Sequence, residues 1–275
     1  MAHTAGLDLG AAFTKAVVMA QDRRVLGKGF IRTGGDLPRA AEEALGLALK
    51  EAGLPREAVN YIVSTGFGRY LVPFRDIQVT DLTAHAQGAL FLYPNTRSVL
   101  DIGAQSTRAS RIEPSGRVKV FRLNDKCAAG AGAFLVRIAR YLEVSLEEMG
   151  PLSLQSQQAQ PISSVCAVLA ETEIINHITA GVKLEDILKG AMLAIANQGT
   201  ILLKRVGMEP EVTLTGGVSK NVGAVKALEE RLNQKVNSDG DGGSFYAGAL
   251  GAALLGLMRL KRLGLGGQAE AVVPS

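Results

Sequence analysis

Two ten-residue segments of this chain share residue types that suit the binding of a phosphate and a metal ion. LDLGAAFTKA begins at Leu7, and LDIGAQSTRA begins ninety-three positions later at Leu100. In each segment an Asp at the end of an apolar stretch precedes small residues, a Thr and a basic residue. Small residues let backbone N–H groups approach phosphate oxygens, the hydroxyl adds a donor, and the carboxylate holds Mg²⁺ directly or through water. We therefore expect two related loops that hold a polyphosphate from both sides.

Individual residues of the two segments have distinct expected roles. Asp8, Asp101 and Gln105 are predicted to bind Mg²⁺ or position water, with Asp8 as the residue assigned to Mg²⁺. The residues expected beside the phosphates are Gly10, Ala11, Ala12, Thr14, Lys15, Gly103, Ala104, Ser106 and Thr107. For either segment alone, a strand Asp before a tight turn is the alternative interpretation. Lys15 and Arg108 are alternatively surface charges of two β-hairpins.

The two cysteines of the chain, Cys127 and Cys166, each lie near a predicted helix start. Cys127 lies in NDKCAAGAGAFL, where small residues, Gly130 and Gly132 among them, leave room for a bulky group against the backbone. Cys166 lies in SSVCAVLAETEII, where one of the two preceding serines is the expected N-cap. A helix N-terminus stabilises a thiolate through its dipole and free amides. The alternative is that both cysteines are small buried residues.

The number of cysteines constrains which metal centre they could hold. Two thiolates are too few for the four ligand positions of a cubane cluster, and the three histidines show no metal-ligand spacing with them. Two protomers supply four thiolates, so a cluster shared across a dimer axis satisfies the ligand count. A disulfide between the two cysteines is the less expected use in a reducing compartment.

The order of predicted strands and helices begins twice along the chain. The first set has strands GLDLG, AVVMA, VLGKGFIRT and YIVSTG, with helices over 37–53 and 81–94. The second set has strands SVLDIG, TRASRIEPSG, RVKVFRLN and VTLTGG, with helices over 130–144, between 163 and 207, and after Asn221. The polar segment 151–164 is expected to be a loop or short helical connection. The repeated order predicts two related domains, 1–96 and 97–243, with a helix at 244–260 packing on the first and a tail at 261–275.

Composition excludes several classes of partner. The chain has 275 residues, 47% of them hydrophobic, and its net charge of +4 is spread without runs of basic residues. We therefore expect no nucleic-acid partner. The N-terminal stretch lacks the features of a signal peptide, and no segment approaches ~18 uninterrupted apolar residues. The expected location is the cytoplasm, without a membrane partner.

The two segments and a third glycine turn, TGGV from Thr215, resemble the actin, Hsp70 and sugar-kinase superfamily. The resemblance implies an α/β fold in which two RNase-H-like domains surround an ATP cleft, with Gly216 and Gly217 against the adenosine. The P-loop signature of Walker-type ATPases does not occur in the sequence.

The cysteine motifs narrow the resemblance. From Gly6 to about Arg259 the chain resembles the BadF/BadG/BcrA/BcrD-type ATPase family, which includes 2-hydroxyacyl-CoA dehydratase activators and ATP-binding subunits of benzoyl-CoA reductase. The resemblance implies that Cys127 and Cys166 share one [4Fe-4S] cluster with a second subunit. It also implies that ATP hydrolysis drives single electrons from reduced ferredoxin or flavodoxin to a CoA-ester-binding reductase or dehydratase component. Glu171, a helical turn beyond Cys166, is expected near the ribose or, alternatively, in solvent.

The second segment differs from that of the homodimeric activators, and this difference bears on the branch of the family. Homodimeric activators usually carry Gly-Gln-Asp where this chain has Ala104-Gln105-Ser106. That segment, with SVLDIGA, ARYLEV and VCAVLAETEIIN, resembles the smaller, D-type ATP-binding subunit of benzoyl-CoA reductase, which pairs with a larger related ATPase subunit. A homodimeric dehydratase activator is the alternative. A small-molecule kinase and a chaperone-like ATP-binding module are remoter alternatives, and both leave the cysteines unexplained.

Overall fold

The chain folds into two compact units. The computed structural model describes residues 2–124, 131–164, 166–238 and 242–264, so Cys127, Gly130 and most of the predicted tail lie outside the described residues. One unit comprises the chain up to Gly88 together with the chain from Gly248 onward, and the other runs from Ala89 to Ala247. Each unit has its own five-stranded sheet and its own apolar core.

The first unit is built on a mixed sheet of strand order β3-β2-β1-β4-β5. Its strands are β1 (His3–Leu9), β2 (Phe13–Ala20), β3 (Val25–Arg32), β4 (Val59–Gly66) and β5 (Ile77–Gln78). The accompanying helices are α1 (Leu37–Ala52), α2 (Asp81–Leu92) and, at the other end of the chain, α8 (Ala247–Arg262). Antiparallel pairing joins β1, β2 and β3, whereas β4 pairs in parallel with β1 and β5.

The second unit repeats this sheet, with order β8-β7-β6-β9-β10 when its strands are given in the corresponding direction. Its strands are β6 (Ser98–Ile102), β7 (Thr107–Ile112), β8 (Val118–Asn124), β9 (Val212–Thr215) and β10 (Val236–Asn237). Its helices are α3 (Gly132–Tyr141), α4 (Leu146–Ser153), α5 (Ala167–Thr179), α6 (Leu184–Arg205) and α7 (Val222–Leu232). The predicted α/β fold with two units of the same sheet order is confirmed, and the two-residue strands β5 and β10 are additions to the prediction.

Both faces of β1 are covered, which explains why almost its whole length is buried. Ala5 and Leu7 belong to the apolar core that includes α1. On the opposite face, a Cβ added at Gly6 would lie 2.0 Å from the Ala249 carbonyl oxygen, so the backbone of α8 packs directly on the strand. Because side chains alternate along a strand, Asp8 shares the α8 face with Gly6. The carboxylate is therefore buried by helix packing.

Close backbone packing also holds α1 against the sheet. The helix begins where the Asp36 side chain accepts a hydrogen bond from the Arg39 N–H and ends at Gly53, whose φ is 64°. A Cβ at Gly27 of β3 would lie 2.1 Å from the Ala48 carbonyl oxygen. Glycine at this position of β3 therefore permits the helix to lie directly on the strand.

The segment predicted to be a loop or short helix over 151–164 combines both. The helix α4 continues to Ser153 from a capping box at Ser145. Beyond it, the Asp186 carboxylate accepts hydrogen bonds from the Gln158 N–H at 3.0 Å and the Ser156 hydroxyl at 2.7 Å. These donors, the Gln158 N–H first, lower the pKa of Asp186 below its ordinary value. An ionised carboxylate on α6 thus holds the loop in place.

The helix α6 covers the sheet face of the second unit opposite Asp101. A Cβ at Gly199 would lie 2.7 Å from Cδ2 of Leu100, the residue that precedes Asp101 in β6. The helix therefore packs closely on this strand. At 22 residues, α6 is long. Neither α6 nor any other helix in the described part of the chain combines the length and the apolar character that a membrane crossing requires.

Candidate functional site

The first hairpin, β1–β2, carries a buried ion pair. Asp8 pairs with Lys15 across the two strands, and Lys15 Nζ lies 2.9 Å from Asp8 Oδ2. Only 4% of Asp8 and 6% of Lys15 is exposed. The alternative that Lys15 is a surface charge is therefore wrong. In this structure the lysine neutralises the carboxylate that the sequence assigns to Mg²⁺.

The second hairpin, β6–β7, repeats the pair at the same register. Asp101 faces Arg108 across the strands, and Arg108 Nη1 lies 3.0 Å from Asp101 Oδ2. The side chain of Asp101 is 7% exposed and that of Arg108 is 22% exposed. Thr107, beside the arginine, is buried, whereas Gln105 at the turn is exposed. Both segments found in the sequence thus form hairpins that hold a carboxylate against a cation.

A glycine in the left-handed region lies against each Asp. Gly66 ends β4 with a φ of 89°, and a Cβ there would lie 2.7 Å from Asp8 Oδ1. Gly216 follows β9 with a φ of 86°, and a Cβ there would lie 2.4 Å from Asp101 Oδ1. Sequence reasoning missed Gly66 and assigned Gly216 to adenosine alone. The signal was present, since both strands lead into the dipeptide Thr-Gly.

A hydroxyl beside Asp8 adds to the donors suited to a metal ion. Thr65 pairs with Asp8 between the parallel strands β1 and β4. Its buried Oγ1 has no hydrogen-bond partner among the residues that the structure describes. A buried hydroxyl of this kind is normally satisfied by water or a ligand. Within the described ranges no group of three or more His, Cys, Asp or Glu side chains could hold a metal. Mg²⁺ usually keeps several waters and takes only one or two protein carboxylates, so its predicted binding at Asp8 stays a prediction.

The first loop is braced from β3. The Thr14 hydroxyl lies 3.0 Å from the Thr33 hydroxyl, which donates to the Gly10 carbonyl oxygen at 2.7 Å. Thr14 is fully buried, so in this structure it supports the loop from beneath. Gly10, Ala11 and Ala12 are half-buried. These three are the residues of the loop that a ligand could approach.

The second loop is bonded to the start of α3. Gly132 donates its backbone N–H to the Gly103 carbonyl oxygen at 2.8 Å, and Ala133 donates to that of Ala104, also at 2.8 Å. The loop is closed by the Gly103 N–H, which donates to the Ser106 carbonyl oxygen at 3.0 Å. The helix that follows the Cys127 segment is thereby attached to the predicted phosphate loop, a link that sequence reasoning did not specify.

Cys166 is the N-cap of α5, and its half-buried thiol forms no disulfide. The prediction that a preceding serine caps the helix is wrong. The Ser163 N–H donates to a Glu173 carboxylate oxygen at 2.6 Å, and the Ser164 hydroxyl accepts a hydrogen bond from the Asn197 amide at 2.9 Å. These contacts hold both serines outside the helix. The predicted position of the cysteine at a helix start is confirmed.

Side chains of α5 and α6 fix the loop that leads to Cys166. Gln198 of α6 donates its side-chain amide to the Ser164 carbonyl oxygen. On α5, His177 Nε2 lies 3.1 Å from the Pro161 carbonyl oxygen. The backbone before the cysteine is therefore held at Pro161 and at Ser164.

Glu171 forms an ion pair between two helices of the second unit. Its carboxylate lies 2.9 Å from Nε of Arg137, which projects from α3. The Tyr141 hydroxyl also donates to it, at 3.4 Å. Glu171 thus joins α3 to α5 in this structure, and its proximity to a ribose stays a prediction.

Substitution of the two adjacent glycines after β9 should separate structural from ligand effects. Gly216→Ala is expected to lower the free energy of unfolding by about 2 kcal/mol or more, because alanine resists positive φ and its methyl would overlap Asp101 Oδ1. Gly217 has no neighbouring atom within 4 Å of an added Cβ. Gly217→Ala should therefore leave the free energy of unfolding unchanged. It should weaken nucleotide binding, because Gly217 is expected to lie against the adenosine. Thermal melts and ATP titrations measure the two effects, and an unchanged melt for Gly216→Ala would contradict the geometry.

Known proteins are similar to this chain in sequence and in fold. A model of the BadF/BadG/BcrA/BcrD ATPase family matches residues 5–256. The D subunit of benzoyl-CoA reductase of Thauera aromatica is 40% identical over 278 aligned positions, covering 98% of each chain. The activator of lactoyl-CoA dehydratase of Anaerotignum propionicum is 39% identical over 252 positions, covering 92% of this chain and 96% of the activator.

A solved structure of similar size superimposes closely on this chain. The activator of 2-hydroxyisocaproyl-CoA dehydratase from Clostridium difficile, solved with bound ADPNP, aligns with a TM-score of 0.91 at 34% identity. The alignment covers 98% of this chain and 100% of the activator chain.

Proposed function

We propose, since this chain belongs to the BadF/BadG/BcrA/BcrD ATPase family, that it is the ATP-hydrolysing, electron-activating subunit of benzoyl-CoA reductase. The chain is an ATPase-coupled subunit of an oxidoreductase or dehydratase system. The match to the reductase D subunit, at 40% identity over 98% of its length, supports the assignment to benzoyl-CoA reductase. The activator of lactoyl-CoA dehydratase, at 39% identity, supports the alternative of a homodimeric dehydratase activator.

The observation that carries the ATPase function is the pair of hairpins with a buried Asp against a cation. Asp8 and Asp101 are the proposed carboxylates for the Mg²⁺–nucleotide. Lys15 and Arg108 orient those carboxylates and offer positive charge to phosphate oxygens. Gln105, exposed at the second turn, positions water.

The proposed division of the chain and the adenosine site follow from the superfamily. The domains are 1–96 with the helix at 244–260, and 97–243, and Gly216 and Gly217 lie against the adenosine. The open space around Gly217 supports a close approach of ligand to backbone. Ser106 supplies no carboxylate at the second loop, so we expect slower hydrolysis by this subunit than by a homologue with Asp there.

Cys166 fits a half-site for a [4Fe-4S] cluster shared between subunits. Its thiol is half-buried at the start of a helix. Cys127 is the proposed second ligand of this chain, and a partner subunit supplies two more thiolates. When bound, the cluster supplies one-electron transfer at low potential. For one electron, a tenfold shift in equilibrium corresponds to about 59 mV, so ATP hydrolysis can lower the effective potential substantially.

Two contacts within the second unit support coupling between nucleotide and cysteines. The hydrogen bonds from Gly132 and Ala133 to the second loop attach α3 to the residues expected beside the phosphates. On α6, Gly199 packs on the strand of Asp101, and the preceding Asn197 and Gln198 hold the loop before Cys166. A displacement of the second loop during hydrolysis is thereby carried toward both cysteine segments.

The proposed partners follow from the same function. A related ATPase subunit shares the cluster, reduced ferredoxin or flavodoxin supplies the electron, and a CoA-ester-binding component receives it, all in the cytoplasm. Next to Cys166, Val168 is 65% exposed and Leu169 is 56% exposed. Exposed apolar side chains at this helix end support a subunit contact beside the cysteine.

Oxygen-free purification tests the assignment. The chain is produced alone and together with the related ATPase subunit of the same organism, and iron, sulfide, the visible spectrum and ATP turnover are measured. We expect a cluster and ATP-dependent electron transfer only in the joint preparation. A cluster-containing, active homodimer would instead establish the dehydratase-activator alternative. Absence of iron and sulfide from both preparations would overturn the proposed electron-transfer function. ATP turnover without iron would favour the alternative of a kinase.

A further inference from the structure

His85 has no part in the function proposed above, yet it is buried beside the Asp8 carboxylate. The residue lies on α2 and is 6% exposed. A Cβ added at Gly248, in the first turn of α8, would lie 2.9 Å from both Asp8 Oδ2 and His85 Nε2. The two polar atoms therefore border the same methyl-sized space in the first unit. Glycine at position 248 keeps that space free.

The position of the imidazole ring is fixed by direct packing of α2 on α8. A Cβ at Gly251 would lie 1.8 Å from the Ala84 carbonyl oxygen and 2.8 Å from the Gly88 nitrogen. The backbones of α2 and α8 are thus in contact at Ala84, just before His85, and at Gly88, shortly after it. A ring attached to so closely packed a helix has little freedom to move away from Asp8.

The carboxylate of Asp8 is confined on several sides. Gly66 borders Oδ1, and Lys15 Nζ lies 2.9 Å from Oδ2. His85 Nε2 borders, together with Oδ2, the space that a Cβ on Gly248 would fill. Carboxylates that bind metal ions are themselves held by surrounding polar groups, and loss of such a group typically weakens metal affinity or activity by about 10- to 100-fold.

We propose that His85 is a positioning residue for ATP hydrolysis, which orients the Asp8 carboxylate toward the Mg²⁺–nucleotide. The inference rests on the proposed role of Asp8 in binding Mg²⁺. Lys15 alone attracts the carboxylate toward β2, and His85 restrains the same oxygen from the helix side. Gly248 is part of the device, because any side chain there would separate the ring from the carboxylate.

The test measures ATP turnover of the cluster-containing complex as a function of Mg²⁺ concentration, and it measures Mg²⁺ binding directly by calorimetric titration of the complex with ADPNP in place of ATP. His85→Ala is expected to raise the half-saturating Mg²⁺ concentration by about tenfold, with a smaller change in KM for ATP. His85→Gln should restore most of the affinity, because its amide nitrogen reaches the position of ring Nε2. His3→Ala is the matched control, since His3 lies in the same unit at the opposite end of β1, where its ring nitrogen contacts the Ala58 carbonyl oxygen.

A second variant keeps the proposal testable if His85→Ala folds poorly. Gly248→Ala should raise the half-saturating Mg²⁺ concentration similarly, whereas Gly46→Ala, with nothing within 4 Å of its added Cβ, should not. If Asp8→Asn changes the Mg²⁺ dependence and neither His85→Ala nor Gly248→Ala does, the inference is overturned and the proposed function stands. If Asp8→Asn also leaves it unchanged, the assignment of Asp8 fails together with the inference.

Discussion

The Cys166→Ser variant is expected to lose its iron and sulfide almost completely while it retains its fold and its affinity for ATP. Cys166 caps α5 through backbone conformation alone, without a side-chain hydrogen bond, so serine at this position leaves the helix intact. A serine hydroxyl is a poor ligand for iron compared with a thiolate. Iron and sulfide analysis of the anaerobically purified complex, together with circular dichroism and ATP titration, measures the three quantities.

A control on the same helix distinguishes ligand loss from helix damage. Thr172 lies on the exposed side of α5, where its hydroxyl donates to the Val168 carbonyl oxygen at 3.1 Å. Thr172→Ala removes that contact six residues beyond the cysteine and should retain a full complement of iron. Retention of iron and sulfide by Cys166→Ser would show that this thiol is not a cluster ligand.

The Asp8→Asn variant is expected to lower ATP turnover by about a hundredfold or more, because it removes the charged group that we propose acts on the Mg²⁺–nucleotide. It should also lower the free energy of unfolding, since breaking a buried ion pair costs about 3–5 kcal/mol. Lys15, which is 6% exposed, would then lose the carboxylate that faces it. Steady-state ATP hydrolysis and chemical unfolding measure the two effects.

Two further variants separate these effects. Asp8→Asn combined with Lys15→Met removes the uncompensated charge, so unfolding stability should return while turnover stays low. Asp22→Asn is the control for the Asp-to-Asn change, because Asp22 pairs with Arg24 at 2.6 Å on the exposed turn between β2 and β3. Full ATP turnover by Asp8→Asn would contradict the assignment of this carboxylate.

Local sequence was enough to predict the two hairpins. In each, an apolar strand, a turn of small residues and a second strand follow one another within ten residues. Hairpin register is set by turn length and by the alternation of apolar residues, both of which are local. The Asp and the basic residue therefore face each other at Asp8–Lys15 and at Asp101–Arg108.

The depth of burial of these pairs was not predictable from the hairpins. Lys15 read equally well as a surface charge, because the helix that covers its sheet face, α8, comes from the other end of the chain. The residues that surround Asp8 were not predictable for the same reason, because they too are distant from it in sequence. Gly66 reaches it through parallel strand pairing, and Gly248 and His85 reach it through helix packing.

The helix start at Cys166 shows where local rules give only an approximate position. Serine is a favoured N-cap, and two serines precede the cysteine. In the structure Asn197 of α6 and Glu173 of α5 engage those serines, so the helix begins later. Tertiary contacts outweighed an intrinsic capping preference of about 1 kcal/mol.

The sequence by itself determined the duplicated α/β plan, the two Asp–cation hairpins and the location of Cys166 at a helix start. These features depend on residue periodicity and on turns of a few residues, which the chain specifies locally. Only the tertiary structure decided that both carboxylates are buried against glycines, that the second loop is bonded to α3, and that His85 borders Asp8. Those contacts join residues distant in sequence, and they form because close helix–strand packing requires glycine wherever two backbones meet.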